Sequence, residues 1–274
     1  MIAGAYQTIA REMVISLERS AWTPIISQCR DFSVTICDSD FNLIAVPGET
    51  LPVQAMSMHR AVKNTAAFFE GDISDGDVLM CNLAISGTPT SGSRCLPAPC
   101  SSTASCSSGR QPAAMSRISG HQYRDTSYPY AKDVYNEGLK ISPIKLYEGG
   151  RLRRDVLELY LTNLRARPLS HGDLMAHVAA SWRGKDRLLQ LVDEYGPDAI
   201  QRHTQELLDY TDRRVGAEIQ KMKPGTYFGE DWLDSNNYGT NDIPVRAKLT
   251  IEGDRWTVDL SDNPPQMIGR LNST

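Results

Sequence analysis

The chain has 274 residues, of which 41% are hydrophobic and 23% are charged, and its formal net charge at pH 7 is −4. These values are typical of a globular protein with one or two domains. The sequence has no basic stripe, so we do not expect it to bind nucleic acid. Because no run approaches about 18 apolar residues, we also expect no membrane span.

The N-terminal third alternates helix and strand signals. Apolar residues recur at helical spacing over Ala3–Ser20, and the charged residues inside that pattern favour an amphipathic helix over a signal peptide, hence a cytoplasmic protein. The alternating pattern of Phe32–Cys37 predicts a strand. The turn at Asp38–Asn42 leads into a second strand, so we expect a hairpin. A helix over 52–70 and a strand over 78–81 follow.

The next segment, Leu83 to Gly120, has an unusual composition. It holds ten Ser, four Pro, four Gly and three Cys, and it has neither acidic nor aromatic residues. A packed core needs large apolar side chains, which this segment almost lacks. We therefore expect no ordered structure over about 83–125.

The second half is first helical and then β-rich. Helical periodicity covers 155–165, 171–195 and 198–221, and period-two patterns predict strands at 227–233, 245–251 and 255–260. The fold class predicted is α+β, with a β-hairpin-rich N-terminal part, a helical middle and an antiparallel β-meander at the C-terminal end. The sequence stops directly after a strand, so we expect a truncated domain whose last sheet lacks partners.

Eight segments in order resemble one family, the hydantoinase B/oxoprolinase family. They are LERSAWTPIISQCRDFSVTICDSDFNLIA (17–45), LPVQAMSMHRAV (51–62), GDVLMCN (76–82), YAKDVYNEGLKISPIKLYEGGRLRRDV (130–156), GDLMAHVAAS (172–181), RLLQLVDEYG (187–196), GEDWLDS (229–235) and DLSDNPPQMIGRLNST (259–274). Members are about twice as long, so residues 1–274 resemble the N-terminal half of the family domain.

The resemblance implies the B subunit of an ATP-dependent cyclic-amide hydrolase of the N-methylhydantoinase or 5-oxoprolinase type. In such enzymes ATP and Mg²⁺ are held by a partner A subunit, which phosphorylates the substrate oxygen. Two alternatives stay open, a subunit of an acetone or acetophenone carboxylase acting on a ketone, and a non-catalytic fragment. The chain itself has no phosphate-binding loop motif.

The resemblance also implies a divalent metal, zinc or manganese, near the reacting carbonyl. Its ligands would be Asp31 of the R-D-F-S segment together with histidines and aspartates of a T-H-x-x-D and a G-H-x-x-D motif. Both motifs are absent where they belong in this chain. Catalytic zinc sites use about three protein ligands, so Asp31 alone cannot hold the metal and we expect impaired activity.

Two further residues are candidates for substrate contact. Glu137 lies in the E-G-L-K segment that resembles the family, where it either lines the substrate cleft or forms a loop ion pair. Arg30, beside Asp31, either orients a substrate carboxylate through two hydrogen bonds or is a surface arginine. Asp31 itself is either a metal ligand or a turn residue before the strand.

A shifted reading frame can restore one of the missing motifs. When the third base of each codon is read with the first two bases of the next, and codons are chosen to suit, residues 100–108 can give F-F-D-G-E-L-L-F, a hairpin with a D-G turn. The following residues give a G-H-x-x-D motif, and the frame rejoins near Thr126. Our hypothesis is that residues from about 83 to 125 are a frameshifted translation.

The remaining candidate residues have ordinary structural explanations. Cys29, Cys37 and Cys81 form no CxxC pair and are expected to be buried thiols. Asp173 and His177 are four residues apart on a predicted helix and are expected to form a surface pair. His121 and Asp125 fall in the anomalous segment, and the shifted frame argues against them as ligands.

Overall fold

We analysed a computed structural model of the chain, which describes residues 1–83, 93–99, 103–110, 132–133, 139–269 and 271–272, with the backbone alone for 52–53, 93–99 and 103–110. Helices, numbered over these residues, are α1 (Ile2–Ser20), α2 (Pro24–Ser27), α3 (Pro52–Phe68), α4 (Arg154–Thr162), α5 (Arg167–Tyr195) and α6 (Pro197–Ile219). Strands are β1 (Phe32–Asp38), β2 (Leu43–Ala45), β3 (Val78–Met80), β4 (Ser93–Pro99), β5 (Thr103–Arg110), β6 (Ile144–Glu148), β7 (Arg151–Leu152), β8 (Gly225–Ser235), β9 (Asn241–Glu252) and β10 (Arg255–Asp259).

Helices α1 and α5 pack against each other along their apolar sides. Tyr6, Ile9, Met13 and Leu17, which lie three or four residues apart on α1, are each at most 2% exposed. This spacing places them on one stripe of the helix. The periodicity of the sequence thus gives both the helix and its buried face.

The first sheet is antiparallel, with strand order β2-β1-β5-β4. All seven residues of β1 are buried, including the polar Ser33 and Thr35. At the β1–β2 turn, Oδ1 of Asp38 accepts the backbone N–H groups of Asp40 (3.0 Å) and Asn42 (2.7 Å). The predicted hairpin is confirmed, and its turn is an Asx turn.

Strands β4 and β5 lie inside the segment for which we expected no ordered structure. They form an antiparallel hairpin, and β5 also pairs with β1 from Phe32↔Gly109 to Asp38↔Thr103. The expectation is therefore corrected for 93–99 and 103–110. Pro97 lies in the edge strand β4, where a missing N–H is tolerated.

The second sheet, β3-β6-β7, covers a separate apolar cluster with α4 and α5. Val78 and Met80 of β3 and Leu146 of β6 are fully buried there, against Tyr160 of α4 and Leu174 of α5. Gly76, before β3, has a φ of +85°, and a Cβ there would overlap the backbone of Gly150. Only glycine therefore permits this approach of the two loops.

The third sheet, β10-β9-β8, belongs to a second compact unit, which comprises 129–136 and 205–273. The other unit comprises 1–128, 137–204 and Thr274. Strands β9 and β10 join at the predicted Glu252–Asp254 turn, where Gly253 has a φ of +62°. The predicted α+β class, the helical middle and the C-terminal meander are confirmed.

Candidate functional site

Asp31 lies in a tight turn between α2 and β1. Its backbone N–H donates to the carbonyl of Ile25 (3.0 Å), and the N–H of Phe32 donates to the carbonyl of Arg30 (2.8 Å). Arg30 adopts a φ of +53°, an uncommon conformation for a residue with a Cβ. The turn places the half-buried carboxylate of Asp31 at the end of the fully buried strand β1.

Gln54, which the sequence analysis did not single out, contacts this carboxylate. Its Nε2 donates to Oδ1 of Asp31 over 2.8 Å. Gln54 is 5% exposed, and its Oε1 is a buried oxygen that accepts no hydrogen bond from the residues that the structure describes. The sequence could have pointed to Gln54, because it is a polar residue that shares one helical stripe with the apolar Met58 and Ala61.

The start of α3 is fastened to the start of β1 by two further bonds. The N–H of Leu51 donates to the carbonyl of Phe32 (3.4 Å), and Oγ of Ser33 donates to the carbonyl of Leu51 (3.0 Å). These bonds fix the first turn of α3 beside the Asp31 turn. The distance between Gln54 and Asp31 is therefore set by the backbone.

The guanidinium of Arg30 is paired with α1. Its Nε lies 2.7 Å from Oε1 of Glu18, and the Arg30 side chain is 53% exposed. The sequence analysis offered a surface arginine or a substrate contact, and the ion pair leaves both interpretations open. Glu137 lies outside the described residues, as do His121 and Asp125.

Asp173 of α5 is a buried anchor for the segment that leads to Asp31. It is fully buried, and its Oδ1 accepts the backbone N–H groups of Trp22 (2.8 Å) and Thr23 (3.1 Å). Its Oδ2 accepts the Thr23 hydroxyl (2.6 Å). His177 is also fully buried, so the expected Asp173–His177 surface pair is wrong, because both residues lie on the packed side of α5.

A second buried charge cluster joins β3 and β6. The Lys145 ammonium lies 3.1 Å from Asp77 and 3.3 Å from Asp72. Burial by itself would raise the pKa of Asp77, but hydrogen bonds from the backbone of Ser74 and Gly149 and from Lys145 outweigh it and lower the pKa. Burial would likewise lower the pKa of Lys145, but its two carboxylate partners raise it.

The three cysteines outside the anomalous segment differ in environment. Cys37 and Cys81 are buried, as expected, whereas Cys29 is exposed. The prediction is therefore wrong for Cys29, which follows the short helix α2 and lies in the turn that leads to Asp31. The Cys81 sulfur lies 3.1 Å from the hydroxyl of Thr65.

The side chains present around Asp31 do not make up the implied metal site. In the described part of the chain, no three His, Cys, Asp or Glu side chains cluster as cation ligands. The Asp31 carboxylate and the orphaned Oε1 of Gln54 are hard oxygen donors, which suit manganese or magnesium better than zinc. Two such oxygens are fewer than a catalytic site requires, and 84–92, 100–102 and 111–131 lie outside the described residues.

The helices of the described residues include none that combines the length and the apolar character needed to cross a bilayer.

Comparison with known proteins decides the family. The sequence profile described as hydantoinase B/oxoprolinase matches residues 1–274. The chain belongs to the hydantoinase B/oxoprolinase family. The predicted resemblance is confirmed over the whole chain.

Two relatives within the hydantoinase B/oxoprolinase family are named for cyclic-amide substrates. The beta subunit of caprolactamase from Pseudomonas jessenii is 31% identical over 100% of this chain and 47% of its own length. The B subunit of a putative D-/L-hydantoinase from Pseudomonas sp. (strain NS671) is 26% identical over 98% of this chain and 47% of its own length. This chain thus spans about half the length of these relatives.

The fold agrees with that of a solved member. The crystal structure of ATP-dependent caprolactamase from Pseudomonas jessenii superposes with a TM-score of 0.83 at 30% identity, covering 96% of this chain and 45% of that chain. The hydantoinase B/oxoprolinase fold therefore extends over both compact units of this chain.

Proposed function

We propose that the chain is part of the B-type subunit of an ATP-dependent cyclic-amide hydrolase. The observation that carries this proposal is the match of essentially the whole chain to the beta subunit of caprolactamase and to the B subunit of a putative hydantoinase. The substrate class is a ring that contains an amide bond, such as a lactam or a hydantoin. A cytoplasmic location is part of the proposal, because the reaction consumes ATP.

The proposed chemistry divides the work between two subunits. An A-type partner binds ATP with Mg²⁺ and transfers the γ-phosphoryl group to the amide oxygen. Phosphorylation removes the amide resonance, so water adds to the carbonyl carbon, the C–N bond breaks with a proton passing to nitrogen, and a second water cleaves the resulting acyl phosphate. For a lactam, the balanced reaction converts the ring, ATP and two waters into the open amino acid, ADP and phosphate; a hydantoin gives the N-carbamoyl amino acid instead.

Within this chain, we assign Asp31 the central position. Its carboxylate lies at the end of a rigid, buried strand and is oriented by Gln54, which is the preorganisation that a reacting site needs. Arg30 and Glu137 are the proposed substrate contacts. The Glu18 ion pair fixes the direction in which the Arg30 guanidinium points.

We further propose that the chain as given has impaired activity, with the divalent metal site lost. The T-H-x-x-D and G-H-x-x-D histidines are absent from the sequence, and the described side chains near Asp31 do not replace them. A non-catalytic role for the present sequence follows from the same observation. Reading 83–125 in the shifted frame, with suitable codons, would return the histidine and aspartate of the G-H-x-x-D motif.

The test replaces the matched half of the caprolactamase beta subunit with this chain and assays the complete ATP-dependent enzyme. Caprolactam, hydantoin and 5-oxoproline are supplied, and ring opening is measured together with ADP. With 83–125 read in the shifted frame, we expect ATP-coupled opening of at least one ring. With the sequence as given, the rate should be at least about 100-fold lower.

Asp31→Asn in the shifted-frame chimera should abolish ring opening, because it changes the proposed ligand alone. The matched control is Asp40→Asn, a substitution of an exposed aspartate in the β1–β2 turn, which should leave the rate within about twofold. Carboxylation of acetone or acetophenone without ring opening would contradict the cyclic-amide proposal. Equal losses in the two variants would contradict the role of Asp31.

A further inference from the structure

The third sheet, β8-β9-β10, has one face that is almost entirely apolar. Directly paired residues of antiparallel strands project from the same face. The register places Tyr227, Leu249 and Val258 in one cross-strand row, and Ile251 beside Trp256 in another. Among the residues on this face, which we call the apolar face, Asp231 is the one that carries a charge.

Much of the apolar face is open to solvent. Val258 is 56% exposed, Trp256 51%, Val245 45% and Tyr227 42%. Tyr227, Trp256 and Val258 lie close together around Leu249 and Ile251, and Val245 lies further along β9 on the same face. A contiguous exposed apolar patch of this kind is typical of an interaction surface.

The opposite face of the sheet is mostly polar and charged, although it also carries the exposed aromatic residues Phe228 and Trp232. Arg246 pairs with Glu230 across β8 and β9 (2.6 Å), and Lys248 pairs with Asp259 across β9 and β10 (3.5 Å). A third cross-strand row consists of the three threonines at 226, 250 and 257. An antiparallel sheet with one charged face and one apolar face is expected to bury the apolar one.

The length of the relatives indicates what covers this face. This chain covers 47% of the caprolactamase beta subunit and 45% of the crystallised caprolactamase chain. We propose that the apolar face is the docking surface for the half of a hydantoinase B-type chain that has no counterpart in these 274 residues. This inference rests on family membership and is independent of the proposed catalytic function.

A second copy of the chain is a poorer occupant. Strands of about 11 residues spaced by about 4.8 Å give the sheet roughly 400 Å² in projection. A stable interface buries about 800 Å² on each partner. Self-association through this flat face alone would fall short of that area, whereas a polypeptide of several hundred residues can extend its contact beyond the sheet.

The experiment co-expresses the full 274-residue chain with a tagged polypeptide that contains the unmatched half of the caprolactamase beta subunit from Pseudomonas jessenii. Light scattering after size exclusion gives the stoichiometry, and titration gives the dissociation constant. We expect a one-to-one complex. Val258→Asp should weaken it at least tenfold, because it places a charge beside Leu249 and Trp256 on the exposed part of the apolar face.

Phe228→Asp is the matched control, since Phe228 is 77% exposed on the opposite face of the same sheet. The dissociation constant of this variant should stay within about twofold of the wild-type value. If Val258→Asp does not fold, Val245→Lys tests the same face. The proposal is overturned if the wild-type chain forms no complex or if both faces respond equally. It is also overturned if the chain forms a homodimer that Val258→Asp disrupts.

Discussion

The side-chain amide of Gln54 holds the carboxylate of Asp31 through a 2.8 Å hydrogen bond between the first turn of α3 and the start of β1. Gln54 is nearly buried while Asp31 is half-buried. The pair therefore presents an oriented carboxylate at the start of strand β1.

Removing the Asp31 carboxylate should leave the Gln54 amide without its hydrogen-bond acceptor and so lower the stability of the fold. Asp31→Ala leaves a buried amide donor unpaired, which costs about 1–3 kcal/mol in the free energy of unfolding. Gln54→Met in the same chain removes the unpaired group and should recover part of the loss. A double-mutant cycle by urea unfolding measures the coupling, expected at about 1 kcal/mol, and additive effects of the two changes would show that the bond has no energetic role.

Asp173→Ala should destabilise the first unit by about 3 kcal/mol, because it leaves two backbone N–H groups and the Thr23 hydroxyl buried without an acceptor. Urea unfolding at pH 7 measures the change. Asp186→Ala, at an exposed position of the same helix, is the control and should alter stability by less than about 0.5 kcal/mol. Equal effects of the two substitutions would rule out Asp173 as an anchor.

The Asp77–Lys145 pair predicts a definite pH dependence. The pKa of Asp77 is lowered from 3.8, so its contribution to stability is complete above pH 3.8 and is lost as the pH falls through the folded-state value. Lys145 has a raised pKa, so its contribution is present below pH 10.5 and is lost only at higher pH.

Accordingly, Asp77→Asn should lower stability by about 3 kcal/mol at pH 7, and the difference from wild type should shrink as the pH falls below 3.8. Urea unfolding at several pH values between 2 and 7 checks this. Asp155→Asn, which affects an exposed ion pair with Arg153, should have a much smaller effect because solvent screens that pair. A pH-independent difference for Asp77→Asn would contradict the assignment.

The sequence predicted the elements whose apolar periodicity is clear. Helix α1, the β1–β2 hairpin and the C-terminal meander follow from patterns such as FSVTIC and the Glu252–Asp254 turn. Short elements were missed. The four residues of α2 and the two-residue strand β7 are too short for a period, and tertiary hydrogen bonds such as that from Thr23 to Asp173 hold α2 in place.

The site was only partly predictable. Asp31 was identified through family resemblance, but Gln54 was not, because its partner lies 23 residues away and becomes a neighbour only when α3 packs on β1. The surface interpretation of Asp173 failed for a similar reason. Spacing of four residues shows that two side chains share a helix face, and it does not show which way that face points.

Strand β5 is the element whose sequence fits its position in the sheet least well. It lies between β1 and β4, yet its sequence TASCSSGR contains no large apolar residue. With codons chosen to suit, the shifted frame gives a D-G turn beside the gap between β4 and β5, and apolar residues in place of those of β5. Such residues are what a strand in that position needs.

We therefore expect the gene to carry compensating one-nucleotide shifts near codons 83 and 125. Sequencing codons 80–130 from independent isolates checks this directly. An isolate with one open frame that encodes the apolar hairpin and the G-H-x-x-D motif would support the hypothesis. The same SSTASCSSGRQ segment in one intact frame from several isolates would disprove it.

Metal content is the sharpest test of the Asp31 site, because it needs no partner subunit. The chain as given and the chain with 83–125 read in the shifted frame are purified, incubated with zinc or manganese, desalted and measured by elemental analysis. We expect about one metal ion per shifted-frame chain, its loss in Asp31→Asn, and no stoichiometric metal in the chain as given. One tightly held ion per chain as given, or none in the shifted-frame chain, would contradict this expectation.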